Sequence, residues 1–339
     1  MPTGTALLVF DRASSAGAAK QRAMAEPGLD SEFVGQSTID VPKRLAVDVP
    51  KLQAYCEKEV PGFKGALSLK KFGQGQSNPT YLLTTDTGQK YVMRKQPPGK
   101  HPKGAHAVDR EAKVIGALGS KGGFPVPEVY SLCTDASVLG GMFYIMSFNQ
   151  GRIYDNAMQA AEPAQRSELL LKVVQTLAQL HSQDVDKLGL ADYGRNGGFY
   201  ERQIKTMTRT TQAQVELGGG KVAPIPRLKE LLAWFSANMP EDRSALMHGD
   251  FKPDNVVFAP EGGSKVVAVL DWELSTLGHP LADLANVCLP YYFKPGTVYP
   301  SFETVNHEGI PDEAALLKAC TCLSSFSVSC GANNAVNST

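Results

Sequence analysis

The polar and apolar positions of this chain change rhythm along its length. Residues 67–72, 80–85 and 90–94 read as short β-like segments. Thr87-Gly88 supplies the turn between the last two. Leu52, Tyr55, Cys56 and Glu59 fit one short helix ahead of them. Residues 107–118 read as a second helix, with Val108, Ala112, Ile115 and Leu118 on one face. The link Phe124-Pro125-Val126-Pro127 leads to two more strands, at 129–133 and 142–147. Beyond Gly151 the spacing lengthens to three and four. Residues 167–181 carry Leu170, Val173, Val174, Leu177 and Leu180 on one stripe, and 228–238 form another helix. Short strands are expected at 255–258 and 266–270 around Glu261-Gly262-Gly263, then a helix over 280–288. The pattern predicts an α+β chain: an antiparallel β-sheet N-lobe with one inserted helix, a mainly helical C-lobe, and a cleft between them.

Residues 1–45 are rich in Ala, Ser, Gly and Pro without periodicity and are expected to be a flexible leader. The N-lobe is expected over 46–148 and the C-lobe over 149–319, with a structureless tail at 320–339. Arg12, Lys20 and Arg22 among small residues match a transit peptide in composition, while Asp11 and weak amphipathicity oppose it. The 339 residues hold 34 Lys plus Arg and 34 Asp plus Glu. That zero balance argues against a general nucleic-acid binder. No apolar run approaches the ~20 residues that span a bilayer. The 6 cysteines form no CxxC pair, and there is no HExxH, which disfavours a disulfide scaffold or a zinc site and suggests an intracellular, reducing compartment.

The densest chemistry lies in Met247-His248-Gly249-Asp250-Phe251-Lys252-Pro253-Asp254-Asn255, followed by apolar Val256-Val257-Phe258. After a second apolar strand comes Leu270-Asp271-Trp272-Glu273. Asp250 can accept the proton of an attacking hydroxyl. Asn255 and Asp271 offer hard oxygens of the kind Mg²⁺ prefers. Two short strands would bring both to one end of a hairpin. A base and two metal oxygens are nearly the whole apparatus of phosphoryl transfer. Upstream, Phe72-Gly73-Gln74-Gly75-Gln76-Ser77-Asn78 joins two strands, and its glycines let backbone N–H groups approach a phosphate. It lacks the third glycine of GxGxxG, which disfavours a dinucleotide fold. Arg94 and Lys95 end the next strand and point to opposite faces; either supplies a cation.

His-Gly-Asp-x-x-x-x-Asn followed by Asp-Trp-Glu resembles the aminoglycoside phosphotransferase and choline kinase branch of the protein-kinase-like fold, over roughly residues 50–290. The resemblance implies ATP and Mg²⁺ as cofactors and a small-molecule hydroxyl as acceptor. It implies Asp250 as catalytic base, Asn255 and Asp271 as metal ligands, and His248 as the residue shaping the loop. It selects Arg94 over Lys95 for the phosphates and pairs Glu111 with it. It places Met146 and Phe148 at an adenine-contacting hinge, Gly73, Gly75, Gln76, Ser77 and Asn78 over the phosphates, and Lys252 beside the transferring group. Asp283 resembles a structural carboxylate that holds the catalytic loop. His181, on the apolar side of its helix, reads as a core histidine.

Within the branch, Arg94-Lys95-Gln96-Pro97-Pro98-Gly99, Leu188-Gly189-Leu190-Ala191-Asp192-Tyr193-Gly194 and Asp271 through Pro280 are similar to the kinase-like domain fused to acyl-CoA dehydrogenase family members ten and eleven. That similarity implies a hydroxy fatty acid or hydroxyacyl-CoA acceptor, and a mitochondrial or peroxisomal site as an alternative to the cytoplasm. Tyr193, Arg195, Tyr200, Arg202 and Lys205 are candidates to face an acidic substrate. No flavin motif or room for a dehydrogenase domain is expected in this chain. The resemblance fades after about Ala319, which suggests a shortened C-lobe of reduced stability. The competing expectation is a non-catalytic nucleotide-binding remnant or interaction protein.

Overall fold

The computed structural model describes residues 35–73, 77–99, 106–155, 158, 160–293 and 307–321. The N-lobe is a six-stranded sheet in the order β1-β2-β3-β4-β6-β5, with every neighbour antiparallel. Its strands are β1 (Thr38–Ile39), β2 (Leu67–Phe72), β3 (Thr80–Thr85), β4 (Lys90–Lys95), β5 (Val129–Cys133) and β6 (Phe143–Ser147). Helix α1 (Val49–Glu59) precedes β2, capped by Asp48, which accepts from Lys51 N at 3.1 Å. Helix α2 (Val108–Ser120) lies between β4 and β5, and the single-turn α3 (Ala136–Leu139) between β5 and β6.

Strand alternation decides what each face of the sheet carries. Tyr91, Met93 and Lys95 share one face of β4, and Val92 and Arg94 the other. On the first face Met93 packs with Tyr81, Leu83, Phe143 and Ile145 under Leu52 and Cys56 of α1. On the second, Val92, Tyr144 and Met146 join Val108, Ala112, Ile115 and Leu118 of α2 and run on into the C-lobe core. Because β4 is paired on both sides and covered on both faces, every residue from Tyr91 to Lys95 is buried. Arg94 is thus a charged group on the apolar, cleft-facing surface.

The C-lobe is built on α4 (Pro163–His181), whose Leu169, Leu170, Val173, Val174, Leu177 and Leu180 are buried. It starts four residues earlier than expected, because Pro163 is well suited to a first helical turn. After α5 (Val185–Leu188), α6 (Phe199–Leu217) and α7 (Leu228–Ala237) come three-residue strands β7 (Ala245–Met247) and β10 (Thr276–Gly278), paired with each other. Between them lies the hairpin of β8 (Val256–Phe258) and β9 (Val266–Val269). Helices α8 (Leu281–Cys288) and α9 (Glu313–Thr321) pack against α4.

Two expectations about the ends are corrected. From Gly35 the leader region is structured: β1 pairs with β2, and Tyr81 donates its hydroxyl proton to Leu45 O at 2.9 Å. At the other end, Cys320 is buried on α9 with Leu316, so the structureless tail does not begin there. Residues 322–339 lie outside the described residues. Helix α6 was not expected: of its 19 residues only Phe199 is buried, and its apolar stripe, with half-buried Ile204, Met207 and Val215, is sparse.

The chain crosses from the hinge to the C-lobe at Gly151. Arg152 bridges Phe258 through paired backbone bonds of 2.8 and 2.9 Å, and a Cβ on Gly151 would collide with the Phe258 carbonyl oxygen. Gly151→Ala is expected to destabilise the fold by ~1–3 kcal/mol, seen as a melting temperature several degrees lower. An unchanged melting temperature would show that the crossing tolerates a side chain.

Candidate active site

Register places the first two groups. Val256 pairs with Val269, so Asn255 stands just before β8 and Asp271 just after β9, at the same end of the hairpin. Leu270 N donates to Asn255 O at 2.8 Å and ties the two positions together. Asn255 Nδ2 donates to Asp250 O at 2.8 Å. Asp271 adopts the left-handed conformation, φ +66°, uncommon for a non-glycine residue.

Arg94 reaches this end of the hairpin from the N-lobe. Its Nη2 donates to Asp271 Oδ1 at 2.6 Å and to Glu273 Oε2 at 3.2 Å. Its Nε lies 2.7 Å from Glu111 Oε2 without an N–H aimed at it, a Coulombic contact rather than a hydrogen bond. Tyr144 donates to Glu111 Oε2 at 3.0 Å and Asn78 Nδ2 to Oε1 at 3.0 Å. The Arg94 side chain is 10% exposed and that of Glu111 2%. Burial works against the guanidinium's charge, but Asp271 and Glu111 outweigh it and raise its pKa. Burial pushes Glu111 up to about 7, against the pull of Arg94. It opposes Asp271 too, yet there Arg94 prevails and the carboxyl is held below the usual range.

The loop that carries Asp250 leaves β7 at Met247. His248 N and Gly249 N each donate to the Asp283 carboxylate of α8 at 2.8 Å. His248 Nε2 donates to Leu270 O at 2.8 Å, so Nδ1 is the acceptor for Asp250 N at 3.2 Å. Gly249 has φ +87°, and a Cβ there would strike Leu274 O. Beyond it, Asp250 Oδ2 is 2.8 Å from Lys252 Nζ and Oδ1 accepts from Asn286 Nδ2 at 3.1 Å. Burial would lower the Lys252 ammonium, but Asp254 and Asp250 raise it. His181 Nε2 meets Asp283 Oδ2 at 3.2 Å, a satisfied core histidine as expected.

A cavity of about 290 Å³ opens between the lobes. Val92, Tyr144, Met146 and Phe148 line one part, and Arg94, Asp250, Lys252, Asn255 and Asp271 another. Phe148 stacks on Phe72 at 6.4 Å, and Gly35, Gln36 and Ser37 add a wall from the N-terminal side. A larger open groove of about 490 Å³ beside Pro125, Lys172 and Lys265 holds none of these groups.

Several expected phosphate contacts are placed otherwise. Lys95 donates to Gln96 O at 3.2 Å on the opposite face from Arg94. Gly73 N pairs with Ser37 O at 3.1 Å, so that N–H extends the β1 pairing instead of facing a ligand. Asn78 is buried with its amide spent on Glu111 and His106, which makes it a support of the Arg94 cluster. Burial pushes the Glu273 carboxyl up, and exposed Ser77 lies where its side chain opposes that push. Gly75 and Gln76 lie outside the described residues. Sequence reasoning gave no role to Glu273, although it stands in the motif, nor to Tyr144 or Asn286.

The residues fit a Mg²⁺ ion. Asp271 and the amide oxygen of Asn255 are hard donors at one end of the hairpin, and three carboxylates share one guanidinium there, an excess of negative charge. No cluster of three His, Cys, Asp or Glu suited to a metal occurs among the described residues. Two protein ligands suffice when phosphates and waters complete an octahedron.

The two lobes, the cleft and this set of groups define a phosphotransferase of the protein-kinase-like fold. Residues 68–316 match the Phosphotransferase enzyme family, and the chain belongs to it. It is similar to a solved aminoglycoside-phosphotransferase-like protein of Ralstonia eutropha, 37% identical, covering 82% of this chain and 81% of that one, with a TM-score of 0.70. A type VIII aminoglycoside-3'-phosphotransferase, 19% identical with a TM-score of 0.55 over 83% of this chain and 93% of that one, shares the fold. Acyl-CoA dehydrogenase family member 11 of Rattus norvegicus is 42% identical over 78% of this chain and 34% of its own length; that of Gallus gallus is 45% identical over 77% and 33%. The chain spans about a third of these relatives and is related to their kinase-like N-terminal domain. No described helix is long and apolar enough to cross a membrane.

Charge arithmetic ranks two variants. Arg94→Met strands three partly or fully buried carboxylates and is expected to cost ~3–5 kcal/mol. Glu111→Gln removes a carboxyl that burial already pushes up to about 7, keeps a hydrogen-bonding side chain, and is expected to cost clearly less. Denaturant unfolding of both measures the order; the reverse order would contradict it.

Proposed function

We propose that the protein transfers the γ-phosphate of ATP, with Mg²⁺, to a hydroxyl group of a hydroxy fatty acid or hydroxyacyl-CoA. The observation that carries this reading is the convergence of Asp250, Arg94, Asn255 and Asp271 on one cavity. Met146 and Phe148 offer the adenine an apolar wall next to the hinge. Arg94, a planar fork held by Glu111, takes phosphate oxygens that a mobile lysine would grip less specifically. Asn255 and Asp271 hold the metal, which when bound offsets phosphate charge. Asp250 orients the acceptor hydroxyl and accepts its proton. Lys252, touching Asp250 Oδ2, screens that carboxylate and steadies the transferring group. An acyl acceptor is supported by the relatives' designation as acyl-CoA dehydrogenase family members.

Radiolabelled transfer from ATP to a panel of hydroxy acids and their CoA thioesters tests this. Label is expected on at least one acceptor, with the rate about 10²–10⁴-fold lower in Asp250→Asn. Nucleotide binding with no transfer, or full activity in Asp250→Asn, would overturn it.

A further inference from the structure

Asp250 has a neighbour that no motif announces. Asn286 lies within α8, 8% exposed, and its Nδ2 donates to Asp250 Oδ1 at 3.1 Å. An ionised carboxylate only accepts, so the nitrogen of the amide, not its oxygen, must face it. The other carboxylate oxygen, Oδ2, meets Lys252 Nζ at 2.8 Å and, more loosely, Asn255 Nδ2 at 3.4 Å. Asp283 stands three residues before Asn286, so the two side chains leave α8 on one face. Helix α8 therefore grips the catalytic loop twice. Asp283 takes the backbone N–H groups of His248 and Gly249, and Asn286 takes the side chain of Asp250.

We infer that Asn286 is a positioning residue for phosphoryl transfer: it fixes the plane of the Asp250 carboxylate so that one oxygen is presented to the acceptor hydroxyl. The inference rests on the kinase reading above. A carboxylate turns easily about its last torsion, which has broad, roughly two-fold minima. Lys252 lies against one oxygen and restrains only that side. A second donor on the other oxygen fixes the plane. Asparagine is an indifferent helix former with a costly amide to bury, and the Asp250 contact gives that amide a partner.

Asn286→Leu removes the donor at nearly constant volume, and Asn286→Ala checks the result with a smaller side chain. Transfer to the best acceptor is measured in both, with nucleotide affinity and melting temperature. The expected result is a kcat lower by about ten-fold, the scale of one hydrogen bond to a charged group, with KM for ATP unchanged. In an Asp250→Asn background, Asn286→Leu should then cause little further loss, since residues acting through one another are not additive. Three results would overturn the inference: unchanged kcat in both variants, an equal ten-fold loss in the Asp250→Asn background, or kcat falling only in step with nucleotide affinity and melting temperature. A wild-type protein with no Asp250-dependent transfer to any acceptor sinks the kinase reading itself, and is distinguished from these by the wild-type control.

Discussion

One buried guanidinium connects the two lobes. Arg94 comes from a central strand of the sheet, and its partners come from α2 and from the far end of the β8–β9 hairpin. Burying such charges costs several kcal/mol per ion and is offset only by close, well-made contacts. The contacts here are close, and Tyr144 and Asn78 add donors to Glu111. The cluster nonetheless keeps more negative than positive charge. The same arrangement that joins the lobes therefore favours entry of a cation.

The loop that carries Asp250 is held from below, by Asp283, rather than from within. Its backbone needs a left-handed glycine and a close pass by Leu274, and its N–H groups need acceptors in a region sealed by Phe251 and Trp272. Asp283 meets that need with both oxygens and is itself braced by His181 from α4. Buried polar networks rigidify a core when every member is satisfied. His248 ties this network to the hairpin end that carries Asn255 and Asp271 through a hydrogen bond to Leu270 O.

Most of the N-lobe was legible in the chain because its strand-length segments are bounded by turn residues and the helix at 108–120 carries an apolar stripe. The hairpin brings Asn255 and Asp271 to one end, as the strand pattern implied. The choice between Arg94 and Lys95 needed the sheet itself: alternation shows that they face apart, but not which face borders the cleft. Helix α6 escaped notice because it buries almost nothing, and β7 and β10 because three residues show no period. Asn286 could not be seen, since a single asparagine in a helix has no pattern around it. The bonds of Gly73 N to Ser37 and of the Asn78 amide to Glu111 are not legible in the chain, because a glycine-rich turn looks the same whether its polar groups face a ligand or their own fold.

The central claim is that the Arg94 cluster is a site for a nucleotide and a divalent metal together. Calorimetric titration of a non-hydrolysable ATP analogue, with and without Mg²⁺, tests it most directly. Affinity at least about ten-fold higher with Mg²⁺, a gain lost in Asp271→Asn, is the expected result for a metal bridging protein carboxylate and phosphate. Affinity indifferent to Mg²⁺, or an equal gain in Asp271→Asn, would contradict it.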